Sequence, residues 1–234
     1  MKKLISILFI SGAVWAADNE IYVDQSGASS AIDLEQIGSG NLIGGLNAAA
    51  GNMTPLDLDG TSMTLDINQI GSSNIFRGDI TADSYTGYFN FSGSSNNFTM
   101  QTDPTNTYGA DTSDVNVDVT GSSNTFTLNQ ATSAMASTLD LDWTINGSNN
   151  SVTADIDYDT ATNYMDIDGD DNTVTLDADG YAGGYFYLDQ TGSSRTFDIT
   201  QQSTLDNDWL KILSTGSNGT ICVNQDDSGS AVGC

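Results

Sequence analysis

Ten glycines, each opening the same short pattern, constrain this chain more than any other feature. They are Gly27, Gly38, Gly60, Gly71, Gly93, Gly121, Gly147, Gly169, Gly192 and Gly216. Three residues on, six of the ten units carry asparagine, as Asn41, Asn74, Asn96, Asn124, Asn150 and Asn172; Ser30, Met63, Arg195 and Gly219 are the departures. Five and seven residues on come mostly apolar side chains, such as Phe98 and Met100, Phe126 and Leu128, or Val174 and Leu176. Nine residues on, glutamine often closes the unit, as Gln36, Gln69, Gln130, Gln201 and Gln225, while Gln25 and Gln190 stand two before their glycines. The residues leading into the glycine alternate as well, with Phe89 and Phe91, Val117 and Val119, or Trp143 and Ile145. Period two sends these side chains to one face and the intervening Asp, Asn, Ser and Thr to the other, which is a strand pattern.

The same offsets recurring along the chain are the mark of a repeat architecture. The expected fold is all-β, a two-strands-per-coil β-solenoid of about nine coils over residues 17–225. At the usual strand spacing its ladder is about 40 Å long. The glycines supply the turns because a reversing chain needs positive φ or a compact bend, which Gly and Asn adopt at little cost. The Asn and Gln side chains, inward and one above another, are expected to form a core ladder of stacked amides. Facing strands should pair with neighbouring coils rather than with one another. Arg195 takes the place of Asn in one unit, so there it either pairs with an Asp of the adjacent coil or breaks the ladder.

Residues 1–16 read as a signal peptide, with Lys2 and Lys3, an apolar run from Leu4 to Val14, and a small residue at Ala16. The run is short for a membrane span, and no later stretch is as apolar over the length a span needs. The expected location is therefore outside the cell or at its surface, by way of the periplasm. The chain carries a net charge of -26, and past residue 16 its only basic residues are Arg77, Arg195 and Lys211. Nucleic acid and anionic membranes are poor partners for such a surface. Cys222 and Cys234 could close a disulfide loop in an oxidising compartment, so that 226–234 forms a tail or cap.

The unit resembles the curlin repeat of curli, the secreted functional-amyloid fibres of bacterial biofilms, which runs Gln-x-Gly-x-x-Asn-x-Ala-x-x-x-Gln. Gln25-Ser-Gly27-Ala-Ser-Ser30-Ala-Ile32-Asp-Leu-Glu-Gln36 fits apart from Ser for Asn and Ile for Ala. Gln190-Thr-Gly192-Ser-Ser-Arg195-Thr-Phe197-Asp-Ile-Thr-Gln201 fits apart from Arg and Phe. The residue two before the glycine is often Val, Ile or Phe, and the Ala position is usually larger. The resemblance implies export, self-assembly of the chain with itself into fibres, a nucleator or secretion channel as further partners, and no catalysis.

Without histidine, neither a Ser-His-Asp nor a Cys-His site can form. Calcium is the one cofactor the acidic pattern suggests. Asp166, Asp168 and Asp170, with Asp177 at the twelfth place, echo a calcium loop whose glycine is misplaced at Gly169. Stacking gives a second version, because Asp155 and Asp177, and Asp157 and Asp179, hold equal offsets in consecutive units. Like charges at that spacing repel by about 1 kcal/mol even in water. The outward places also carry a threonine rank, Thr125, Ser151 and Thr173 beside Thr127, Thr153 and Thr175, broken at Arg77, Asp198 and Cys222. The second functional reading is thus a monomeric β-solenoid that binds ice, calcium or carbohydrate.

Overall fold

The computed structural model describes residues 20–47, 52–54, 56–102, 112–130, 138–158, 160–180, 183–203 and 209–226. The expected signal peptide, Cys234 and all but the first residue of the 226–234 tail lie outside them. The chain is all-β, with no helix among the described residues, and its parallel strands stack into a β-solenoid of about seven turns.

Two ladders build it. The entry ladder holds the strands that run into a corner glycine: 29–37, 63–70, Ser84–Ser92, Thr112–Thr120, Thr138–Asn146, Ala161–Asp168, Gly184–Thr191 and Trp209–Thr215. The exit ladder holds those that leave it: Glu20–Ile21, Leu42–Ile43, Ile75–Ala82, Asn97–Thr102, Thr125–Gln130, Ser151–Tyr158, Thr173–Gly180, Thr196–Ser203 and Thr220–Asp226. Each strand pairs in parallel with the strand one coil away in its own ladder. An antiparallel pair, Gly45–Asn47 with Asn52–Thr54, is inserted between Ile43 and Leu56. Because the inward residues of one thin coil cannot bury themselves, the core exists only through stacking.

Alternation within each strand fills that core as expected. Val115, Val117 and Val119 are buried beneath Leu141, Trp143 and Ile145 of the next coil. Phe76 and Phe98 stack at 4.9 Å between centroids, and Phe89 and Phe91 meet them edge-on. Buried side chains of this size contribute about 1.5–3 kcal/mol each relative to exposure. Gly78 and Gly87 make room for the cluster, because a Cβ on either would run into the Phe76 or Phe89 ring.

Two of the ten glycines do not belong with the others. Gly27 and Gly60 lie inside the continuous strands Asp24–Ile37 and Leu56–Ile70 and pair with each other, on the side of the solenoid opposite the corners. Expecting them to open a Gly-x-x-Asn turn was therefore mistaken. Ser30 and Met63 are not lapsed asparagines: they stack with Tyr85 in the entry ladder.

Candidate functional site

The corners at Gly38, Gly71, Gly93, Gly121, Gly147, Gly169, Gly192 and Gly216 form a continuous stack down one side. Each glycine has a φ between 133° and 146°. From Gly71 onward, a Cβ there would overlap the carbonyl oxygen of the corner glycine one coil before. The requirement is thus close approach of backbones as well as conformation. Two places further on, the chain is left-handed, at Ser73, Ser95, Ser123, Asn149, Asp171, Ser194 and Asn218 with φ between 56° and 60°, and at Gly40 with φ 70°. Positive φ therefore falls on the first and third corner residues. The asparagine in fourth place has a different task.

That task is a hydrogen bond along the axis. The backbone N–H of Asn41 donates to Oδ1 of Asn74 (3.1 Å), Asn74 to Asn96 (3.0 Å) and Asn96 to Asn124 (2.9 Å); Asn124 donates to Asn150 (3.0 Å) and Asn150 to Asn172 (2.8 Å). The ladder was expected to run amide to amide. It runs instead from backbone to side chain, with one side-chain link from Asn124 Nδ2 to Asn150 Oδ1 (3.2 Å). Each of these asparagines is at least 98 % buried, so the bond spares a backbone donor from an unsatisfied interior.

At Arg195 the asparagine ladder stops. Its guanidinium donates to the Gly192 carbonyl of its own corner and to the Thr215 carbonyl of the next coil (3.2 Å). Its aliphatic stem lies where a side chain at Gly219 would stand. One long side chain thus fills two levels, which explains why arginine and glycine follow each other in the sequence of corners. Of the two expectations for Arg195, the broken ladder is the one observed.

The glutamines do not form one ladder with these asparagines, because the registers divide them in two. Gln36, Gln69 and Gln190 lie in the entry ladder, where Gln69 Nε2 donates to Gln36 Oε1 (2.9 Å) and Gln190 Nε2 to the Gly169 carbonyl (3.4 Å). Gln25, Gln130, Gln201 and Gln225 share one rank of the exit ladder with Leu58, Ile80, Thr102, Ile156 and Ala178. On that side a buried polar group forms around Tyr85, whose hydroxyl donates to Gln130 Oε1 (3.1 Å) and accepts from Thr102 (3.2 Å). Burial pushes the Tyr85 phenol up, against the opposing hydrogen bond with Thr102. No pattern in the sequence singled out Tyr85 or Thr102, since each takes an ordinary inward place.

The acidic residues are placed as the stacking version requires and not as a loop. Asp155 pairs with Asp177 and Asp157 with Asp179. Burial first, then Asp179, Asp155 and Asp198, raise the Asp177 carboxyl above its ordinary range, and burial and Asp155 do the same to Asp179. Asp166 and Asp168 lie on the entry ladder, Asp170 in the corner with its Oδ1 accepting from Ser193 N–H (2.6 Å), and Asp177 on the exit ladder. The supposed loop is therefore split between two faces, and among the described residues no three acidic or cysteine side chains gather as a metal group. The threonine ranks keep their predicted register, with Arg77, Asp198 and Cys222 in the same rank as Thr127. Cys222 is disulfide-bonded.

The C-terminal end exposes what the middle buries. Ile221 and Val223 point inward on the last exit strand yet are 44 % and 40 % exposed, whereas Phe197 and Ile199 beneath them are 0 % and 2 %. Thr220–Asp226 and Trp209–Thr215 pair along one edge only among the described residues, as does 20–37 at the other end. No family model, curated protein or solved structure matches the chain.

Proposed function

We propose that the chain is a secreted, curlin-like structural subunit, two strands per coil and about nine coils long, that stacks end to end into extracellular amyloid-like fibres. The supporting observation is that its open edges match. The inward rank that ends in Ile221 begins with Ile21, and the rank that ends in Gln225 begins with Gln25. A second copy placing Ile21 over Ile221 and Gln25 over Gln225 continues both ranks with the same residues. A parallel strand edge with no neighbouring strand among the described residues is a template for such pairing, and burying Ile221 and Val223 supplies the drive. In this reading the partner is the chain itself, assembly takes place in a biofilm matrix or at a cell surface, and the acidic faces keep fibres apart.

Electron microscopy of the purified chain tests the reading. Long unbranched filaments are expected. A stable monodisperse monomer, at concentrations where the edges should associate, overturns it and passes weight to the second reading, a monomeric binding solenoid. The in-register threonine ranks favour that one, and thermal hysteresis is its measurement.

A further inference from the structure

Four exposed aromatic side chains of the middle and C-terminal coils share one face. Tyr88, Tyr164, Tyr185 and Trp209 are all 40 % or more exposed, and all lie on the outer side of the entry ladder. One rank of that face reads Asp66, Tyr88, Asn116, Asp142, Tyr164, Tyr187, Lys211 across successive strands. Toward its C-terminal end this rank already shows what it accepts. The Tyr164 and Tyr187 rings stack at 4.9 Å and 4° from parallel, and the Lys211 ammonium sits over the far face of Tyr187, 4.8 Å from the ring centroid. Stacking along the rank leaves the opposite face of Tyr164 directed back toward Asp142.

Between Tyr88 and Tyr164 the rank carries only the shorter Asn116 and Asp142. A shallow depression of about 190 Å³ lies there, lined by Tyr88, Asn116, Asp66, Asp118, Asp142 and Thr144 among others. Its polar lining is carboxylate, amide and hydroxyl, and the flanking ranks add Asp114, Asp140 and Thr86 on one side and Asn90 on the other. An exposed aromatic ring beside carboxylates is the pairing that holds an organic cation: the ring face attracts it and a carboxylate pairs with its charge. The depression is too open to engulf a free small molecule. It suits a side chain presented from outside.

We infer that this slot is a docking site for a lysine or arginine side chain of a basic polypeptide partner, held over Asn116 against the Tyr88 ring and paired with Asp142. Lys211 on Tyr187 is the intramolecular version of the same contact. The site does not depend on fibre formation, because the strands that bear it lie in the middle of the solenoid.

Saturation-transfer difference NMR with N-acetyl-lysine methylamide tests it on the full chain, as monomer or fibre. Transfer to the probe's ε-methylene protons is expected, exceeding that to the neutral N-acetyl-norleucine methylamide. Tyr88→Leu should weaken binding about three- to fivefold, the worth of one exposed cation–π contact, and Asp142→Asn should weaken it as well. Lys211→Gln vacates the Tyr187 face and should raise the transfer signal, whereas Asp155→Asn on the other face should leave it unchanged. The inference is overturned if norleucine responds equally, if Tyr88→Leu binds like the parent chain, or if Asp155→Asn weakens binding as much as Asp142→Asn, which marks a diffuse counter-ion effect.

Discussion

The two sides of the solenoid solve the same problem differently. On the corner side every turn spans four residues, the glycines stack backbone on backbone, and buried asparagines bond coil to coil. On the opposite side the connections vary in length, from the uninterrupted strand through Gly27 to the stretches bridging Thr102 to Thr112 and Gln130 to Thr138. Polar groups there meet in local arrangements such as Tyr85 with Thr102 and Gln130. The difference separates what sets register from what only closes the coil. Corners that touch through their backbones cannot absorb an insertion without shifting every strand that follows, whereas the far side tolerates one. Glycine substitutions should break this comparison most sharply. Gly121→Ala puts a Cβ into the Gly93 carbonyl at a φ of 136°. It should cost about 3 kcal/mol or more. Gly183→Ala, on the far side, also has a positive φ (58°) but nothing within 4 Å, so about 1 kcal/mol is expected. Chemical denaturation of the two variants reads the contrast, and equal losses would remove the corner's special standing.

The next effect compares one buried polar group from each side. Asn124→Ala leaves the Asn96 N–H without its acceptor in the interior and should cost about 1–3 kcal/mol. Tyr85→Phe removes a hydroxyl whose partners Thr102 and Gln130 lie in a group that can rearrange, and about 1 kcal/mol is expected. If Tyr85→Phe proves the costlier, stability resides on the variable side and the corner ladder is only a spacer.

Acidity weighs on the sheet faces rather than on either side. Burial and neighbouring carboxylates raise Asp57, Asp140, Asp166, Asp177 and Asp179 above their ordinary values. Their folded-state pKa exceeds the unfolded one, so the folded chain holds more protons between the two values. Stability must then rise as pH falls into that window and be lost as pH climbs out of it. Melting should therefore occur at a higher temperature near about pH 4.5 than at pH 7, with Asp177→Asn narrowing the gap. A melting temperature that stays flat or falls on acidification contradicts this.

Much of the corner was legible because it is written at fixed offsets. Glycine, then asparagine three residues on, then alternation, survives any change in the far-side loops, and the acidic and threonine ranks follow by counting from the glycine. Counting failed where equal spelling hides unequal position. Gln25-Ser-Gly27 reads like Gln36-Ile-Gly38, yet one glycine lies within a strand and the other opens a corner. The ladder's chemistry was also hidden, since composition cannot say whether a buried asparagine bonds to another amide or to a backbone N–H. The slot beside Tyr88 depends on Asp142, 54 positions away (142 − 88), falling in the same rank, which only the register across unequal loops reveals.

The Arg195–Gly219 exchange sharpens the comparison at its finest scale, because there the corner side borrows a local solution. Arg195→Asn alone restores a short amide but empties the space over Gly219, and about 1 kcal/mol of loss is expected. Gly219→Asn alone crowds the Arg195 stem, at about 1–3 kcal/mol. Together they should cost less than their sum, because the introduced carboxamides extend the ladder past Asn172 with the geometry of the six rungs before it. A coupling of about 0.5 kcal/mol or more in the double-mutant cycle is the expected reading. Additive losses would mean that the arginine serves the Gly192 and Thr215 carbonyls alone and that the glycine beside it is incidental. The cycle therefore asks whether the corner is a stack of interchangeable units, each able to accept the next, or a ladder closed off before the chain's last described strand.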